Sequence, residues 1–106
     1  MSKRTKREKV LDRGVKALQS YEPQKVFLFG SWARGEEDEL SDLDIVVIKE
    51  TEAPFFSRLQ EVMAILPPDT PADVLVYTPC EFRQMSERGN AFAEMLLEEG
   101  KLIYER

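Results

Sequence analysis

The sequence predicts a small domain of the α/β (α+β) class, in which helices flank a mixed sheet of three to four strands. Three short β-rich runs, at 25–29, 43–48 and 72–77, are separated by segments whose apolar residues recur at helical spacing. No internal repeat, low-complexity stretch or interdomain linker divides the 106 residues. Because a chain of this length is typical of one domain, we expect residues 1–106 to form a single domain with a basic N-terminal arm at 1–9.

The N-terminal half predicts one helix and two strands. Apolar residues at helical spacing predict a helix from Lys6 to Ser20, and Glu22-Pro23 closes it. Lys25–Phe29 (KVFLF) then predicts a buried strand that Gly30 interrupts. After a polar stretch, Leu43–Ile48 (LDIVVI) predicts the second strand.

The C-terminal half predicts three helices and two further strands. The segment Thr78-Pro79-Cys80-Glu81 has the form of a capping box with proline at the first helical position, which indicates a helix start. Glycine and proline positions mark the other boundaries. In order, the predicted elements are a helix ended by Pro67-Pro68, a strand at 72–77, a helix to about Arg88, a helix at 91–99 and a short edge strand at 101–104.

The composition excludes several catalytic mechanisms. Without any histidine, the chain cannot form a Ser-His-Asp triad or an H-E-x-x-H zinc site. The single cysteine, Cys80, excludes a disulfide within the chain and a cysteine-cluster metal site. Any bound metal would therefore have oxygen ligands, which favours Mg²⁺, Mn²⁺ or Ca²⁺.

Charge and hydropathy indicate where the protein resides and what it contacts. Five cations and one acid give residues 1–9 a net charge of +4, which leaves −9 on the rest of a chain whose net charge is −5. The basic arm is expected to be solvated or to begin a helix, with contact to a partner as the alternative. The acidic balance argues against stable nucleic-acid binding. Because no segment has a signal peptide's apolar stretch or the roughly 20 apolar residues of a membrane span, we expect a cytoplasmic protein.

A glycine-serine turn follows the first strand directly, in Gly30-Ser31-Trp32-Ala33-Arg34-Gly35. Glycine at a strand end lets the backbone turn tightly and approach a ligand. A helix beginning at Ser31 would direct its free N–H groups toward a phosphate, and Arg34 would add a planar cation. Taken alone, such a turn is more often only a turn, and Arg34 a surface ion-pair partner.

Aspartates stand at the start of the second and third strands. Asp42 and Asp44 are two residues apart, so on a strand their side chains leave the same face, about 6–7 Å apart. Asp73 stands near the start of the next strand, and three such carboxylates could hold two divalent ions about 3.5–4 Å apart for phosphoryl or nucleotidyl transfer. The plainer alternatives are a solvated acidic loop, since residues 36–44 carry six carboxylates, and an Asp73 that ends a strand.

In this order and spacing, the Gly30–Gly35 turn, Ser41-Asp42-x-Asp44 and Asp73 resemble the signature of the polymerase-β-type nucleotidyltransferases. The similarity is greatest to the minimal nucleotidyltransferases, often antitoxins encoded beside a HEPN-domain toxin, and covers about residues 5–104. The resemblance implies two groups of site residues. The triphosphate group is Gly30 and Ser31, with Arg34 in support; the ligands of two Mg²⁺ (or Mn²⁺) ions are Asp42, Asp44 and Asp73, of which Asp73 also helps to activate the attacking hydroxyl.

The resemblance further implies an enzyme that transfers AMP from ATP to an acceptor hydroxyl, a tyrosine of a HEPN toxin, and so acts as an antitoxin. Such a reaction depends on metal ions and positioning, so it needs no histidine. One alternative is a catalytically silent antidote that acts by binding alone, against which the intact motifs count. A nucleotidyltransferase for small molecules is a weaker alternative, since a chain of 106 residues lacks room for a substrate domain.

Overall fold

A computed structural model describes residues 6–30, 43–68, 70 and 72–106. Four helices and four strands lie in these ranges, which confirms the predicted mixture of helices and strands. In chain order they are α1 (Lys6–Gln19), β1 (Lys25–Phe29), β2 (Leu43–Ile48), α2 (Phe55–Ile65), β3 (Ala72–Tyr77), α3 (Pro79–Glu87), α4 (Ala91–Glu99) and β4 (Lys101–Glu105).

The four strands form one mixed sheet in the order β3-β2-β1-β4. β1 pairs antiparallel with both β2 and β4, whereas β2 pairs parallel with β3. Parallel neighbours need a crossover connection, and α2 provides it between β2 and β3. The upper end of the predicted strand number is thus confirmed, and β4 is the edge strand that the sequence predicted.

Helices pack on both faces of the sheet, and the strand residues divide between the two faces by alternation. On one face, Ile45 and Val47 of β2 pack with Leu18 of α1 and Val62 of α2. On the other face, Val46 and its neighbours pack with α3 and α4 residues such as Leu96. Because β2 is buried on both faces, it is the central strand of the core.

Three element boundaries differ from the predicted ones by a single residue. α1 ends at Gln19, where the Ser20 N–H and hydroxyl both donate to the carbonyl of Ala17. α3 ends at Glu87 with Arg88 as its C-cap, and β4 continues to Glu105. The predicted capping box is confirmed: the Glu81 N–H donates to Thr78 Oγ1 (3.1 Å) and the Thr78 N–H donates to Glu81 Oε1 (2.8 Å).

A cluster around Tyr21 holds the turn after α1 against α2. The Tyr21 hydroxyl donates to Glu61 Oε2 at 2.9 Å, and burial, with this carboxylate, raises the pKa of Tyr21 to about 12. Lys49 Nζ lies 4.4 Å from the centroid of the Tyr21 ring and donates to the Tyr21 carbonyl. These contacts connect the turn before β1 with the segment that follows β2.

In the ranges that the structure describes, no helix is long and apolar enough to cross a membrane.

A buried arginine connects α2, β3 and α3. Arg58 is 6% exposed, and its guanidinium donates to both oxygens of Glu81, at 2.6 and 3.2 Å. It also donates to the carbonyls of Ala53 (2.8 Å) and Val76 (3.2 Å). The hydrogen bond from Arg58, helped by the Thr78 N–H, lowers the pKa of the Glu81 carboxyl. Because Glu81 also caps α3, one carboxylate fixes both the helix start and the buried charge.

We expect Glu81→Ala to lower the free energy of unfolding by about 2–4 kcal/mol at pH 7, since it leaves a buried cation without its partner and removes the capping box. The folded pKa of Glu81 lies below its usual value, so its contribution is fully present above about pH 4.5 and is lost as the pH falls through the folded pKa. Urea denaturation from pH 7 to pH 3 measures the change. Glu87→Ala, on the exposed side of the same helix, is the control, and an equal loss in both variants would contradict the expectation.

Candidate active site

The pairing register brings two of the predicted aspartates side by side. Asp44 and Asp73 are Cα partners in the parallel β2–β3 pair, each in the second position of its strand. On the other side of β2, Phe29 at the end of β1 is the Cα partner of Asp44. Since Gly30 follows Phe29, one edge of the sheet carries Gly30, Asp44 and Asp73 together.

The two carboxylates leave the same face of the sheet and have different exposure. Neighbouring strands lie about 4.8 Å apart, so directly paired side chains on one face are within reach of each other. Asp44 is partly buried, whereas Asp73 is exposed. By alternation along β2, this is the face on which Val46 packs against the cluster of α3 and α4. The Asp44 side chain is therefore partly enclosed at this edge of the sheet, whereas the Asp73 carboxylate is open to solvent.

Gly30 makes a close contact with Asp44. Its φ is +72°, a left-handed conformation in which glycine carries no Cβ penalty. A Cβ at this position would lie 3.3 Å from Asp44 Cγ and nearer still to Oδ2. There are thus two reasons for glycine at this turn. Besides the positive φ, only a residue without a side chain lets the backbone pass over the Asp44 carboxylate.

Three of the six predicted site residues, Ser31, Arg34 and Asp42, lie outside the described residues. Of the other three, the structure brings Gly30, Asp44 and Asp73 together. Within the ranges 6–30, 43–68, 70 and 72–106, no three His, Cys, Asp or Glu side chains form a group able to hold a metal ion. The paired carboxylates of Asp44 and Asp73 do have the chemistry that suits Mg²⁺, which takes oxygen ligands from one or two carboxylates together with substrate phosphates.

An aromatic contact beside the carboxylates was not predicted from the sequence. The ring of Phe29, the strand partner of Asp44, packs edge-to-face against Phe92 of α4 at a centroid distance of 5.3 Å. The alternation of Phe27 and Phe29 along β1 is a signal that could have placed both rings on one face. Phe29 and Phe92 therefore form an apolar wall next to Asp44.

Comparison with known protein families shows the family to which this chain belongs. The model of the polymerase beta nucleotidyltransferase family matches residues 15–106, which is most of the chain. The chain belongs to the polymerase beta nucleotidyltransferase family. The Gly-Ser turn and the aspartates resembled the signature of this same group, whose members are nucleotidyltransferases.

Individual relatives are consistent with this membership. A candidate protein adenylyltransferase of Methanocaldococcus jannaschii is 39% identical over 61 residues, which are 56% of this chain and 61% of the relative. The match thus spans less than two thirds of that protein. Among solved structures, a candidate nucleotidyltransferase from Sulfolobus solfataricus has a TM-score of 0.63 at 22% identity. The match covers 92% of this chain and 79% of the Sulfolobus chain.

Two further structural neighbours are toxin–antitoxin systems. A toxin–antitoxin crystallised with AMP-PNP has a TM-score of 0.62 at 22% identity, and the match covers 90% of this chain and 73% of that one. A mutant of the toxin–antitoxin MntA–HpeT has a TM-score of 0.57 at 21% identity, with coverage of 97% and 75%. At these identities the likeness establishes the shared fold, and the predicted fold class is confirmed.

The contact between Gly30 and Asp44 predicts that alanine at Gly30 lowers the free energy of unfolding more than alanine at Gly89 does. Gly89 has nearly the same φ (+69°), but a Cβ there would meet only Glu94 Oε1 at an ordinary 3.5 Å. We expect Gly89→Ala to cost about 1–2 kcal/mol for the backbone conformation alone. Gly30→Ala should cost at least about 1 kcal/mol more, because the methyl group overlaps Asp44.

Denaturant unfolding of both variants measures this difference. In an Asp44→Ala background, which removes the overlapping atoms, the extra cost of Gly30→Ala should disappear. A double-mutant cycle should therefore show a coupling energy between the two substitutions. Equal losses at Gly30 and Gly89, or additive effects of Gly30→Ala and Asp44→Ala, would contradict the proposed contact.

Proposed function

We propose that this chain transfers AMP from ATP to a hydroxyl group of a partner protein. The observation that carries the proposal is the pairing of Asp44 with Asp73 at the sheet edge where Gly30 follows β1. Membership of the nucleotidyltransferase family and similarity to a candidate protein adenylyltransferase support the reaction class. The AMP-PNP in one structural neighbour supports ATP as the nucleotide.

In this proposal the residues divide between the metal ions and the nucleotide. Asp44 and Asp73, together with Asp42, hold Mg²⁺ (or Mn²⁺), with two ions as the full complement; Gly30, Ser31 and Arg34 contact the triphosphate. Divalent ions at such a site neutralise charge on the phosphates and on the leaving group. Gly30 contributes because it has no Cβ, which at this position would overlap the Asp44 carboxylate.

The proposed reaction is an in-line displacement. The acceptor oxygen bonds to the α-phosphorus, the bond from that phosphorus to the β-phosphate oxygen breaks, and pyrophosphate leaves. Exposed Asp73 stands where it can help to activate the acceptor hydroxyl and take its proton. The buried neighbours of Asp44 along β2 hold its backbone in place, so positioning supplies much of the rate.

The proposed acceptor is a tyrosine of a HEPN-domain toxin, and the chain is then its cytoplasmic antitoxin. Two structural neighbours that are toxin–antitoxin systems support a toxin as the partner. Silencing by transfer of AMP and silencing by binding alone predict different outcomes when the aspartates are changed.

We expect that ATP labelled at the α-phosphate, with Mg²⁺ and the protein encoded beside this chain, transfers label to that protein. Asp44→Asn and Asp73→Asn should each reduce the initial rate at least about 100-fold, because each removes a charge that faces the reacting phosphates. Glu50→Gln is the matched control, since Glu50 is an exposed carboxylate just beyond the opposite end of β2, and its rate should equal that of the unchanged chain. Excess EDTA should abolish transfer.

Three results would contradict the proposal. Inhibition of the partner that persists in Asp44→Asn, without label in any variant, would indicate an antidote that acts by binding alone. Label on a small molecule in place of the protein would indicate another acceptor class. Equal rates in Asp44→Asn and Glu50→Gln would show that the paired carboxylates are not the catalytic groups.

A further inference from the structure

Five aromatic rings form a continuous series of contacts that reaches the candidate active site. In order they are Phe56, Phe55, Tyr77, Phe92 and Phe29, which we name the aromatic strip, and consecutive ring centroids lie 5.3 to 6.4 Å apart. The strip begins on α2, passes the end of β3 and the start of α4, and ends on β1. Its last member, Phe29, is the strand partner of Asp44.

None of the five rings is fully buried. Phe56 is 77% exposed, and the other four are partly buried. Single exposed apolar side chains are common on soluble proteins, whereas contiguous apolar surface marks a site of interaction. Phe29, Tyr77 and Phe92 also pack against the core cluster of Val46 and Leu96, so each presents only part of its ring to solvent, and the row is most exposed at Phe56.

An open cavity of about 420 Å³ lies beside the strip. Phe55 and Tyr77 form its aromatic walls, and Met85 and Arg88 of the α3 end also line it. Among the described residues, Arg88 has no partner for its guanidinium. Glu81, which also lines the cavity, is already bonded to Arg58 and Thr78. Gln84 and Asn90 complete the lining, so the cavity combines apolar walls with polar groups and one available cation.

The composition of this surface is that of a protein interface. Aromatic residues, Met and Arg are enriched in interfaces, and binding energy concentrates where an aromatic or Arg side chain enters a pocket. A single nucleobase covers one or two rings, which is less than the five rings of the strip. Single-stranded nucleic acid stacks on aromatic rows but also needs a positively charged groove, and this chain has a net charge of −5.

We propose that the aromatic strip and its cavity form the docking surface for the protein that accepts AMP, an inference that rests on the proposed function. The partner presents an apolar side chain to the cavity between Phe55 and Tyr77, and a carboxylate to Arg88. Its surface then follows the strip to Phe29, which brings the acceptor hydroxyl to the edge where Asp44 and Asp73 lie.

The test compares two surface variants with a control on the same helix. Phe56→Ala removes the exposed end of the strip, and Arg88→Glu reverses the cation of the cavity. Met63→Ala is the control, since Met63 is an exposed apolar residue of α2 (57%) that takes no part in the strip. The probe is the protein encoded beside this chain, and its Kd is measured calorimetrically without ATP, after circular dichroism has shown that each variant is folded.

We expect Phe56→Ala and Arg88→Glu each to weaken binding by about 10- to 100-fold, in the range of interface hot spots, and Met63→Ala to change it less than twofold. In the labelling assay, Phe56→Ala should raise the half-saturating concentration of the partner while the maximal rate is retained. This split distinguishes lost docking from damage to the reacting groups.

Each other outcome has a definite meaning. Affinities of Phe56→Ala and Arg88→Glu equal to that of the unchanged chain, or no binding of the neighbouring protein at all, would overturn the docking surface. Binding of a single-stranded RNA 12-mer that Phe56→Ala abolishes, with partner affinity unaffected, would overturn it in favour of nucleic acid. Partner binding that depends on Phe56, without any transfer of label, would support the docking surface and overturn the proposed function.

Discussion

The parallel pairing of β2 with β3 is the constraint on which the candidate site depends. Asp44 and Asp73 are far apart in sequence and become neighbours only because this register makes them Cα partners. A slip of one residue would turn Asp73 to the opposite face of the sheet. The register is maintained by burial, since Val74 and Val76 of β3 are enclosed in the core and a slip of one residue would turn them to the other face. The hydrophobic core therefore fixes the spacing of two charged groups at its edge.

The buried charge of Arg58 acts at the other end of the same strand. Its guanidinium is held away from solvent, because it donates hydrogen bonds to the Val76 carbonyl near the end of β3 and to Glu81 at the start of α3. A buried ion pair adds little net stability over an apolar pair of similar size, but a broken one is costly. Its effect here is geometric: the pair sets how α2 and α3 meet, and so it shapes the cavity between Phe55 and Tyr77.

Local sequence patterns predicted the elements closely, because helix periodicity, the Thr78–Glu81 capping box and the glycine-proline breaks are all short-range signals. They also brought Gly30, Asp44 and Asp73 into one hypothesis. They did not predict the bonding of Arg58, although a charge on the apolar face of α2, between Phe55 and Val62, was a visible signal. The aromatic strip was missed for a different reason: its members come from four elements, so that only the tertiary packing reveals their contacts.

The positions of charge and apolar surface suggest why one small chain can combine recognition with chemistry. On the proposed function, divalent cations would offset the charge of the Asp44 and Asp73 carboxylates, so that phosphates could approach that edge. The aromatic strip is apolar, and the nearby Arg88 has the opposite charge to those carboxylates. On the proposed docking surface, a carboxylate of the partner would be attracted to Arg88, while the phosphates of the donor would bind at the edge that carries the aspartates. Recognition of the partner and binding of the donor would thus use separate charges of one chain.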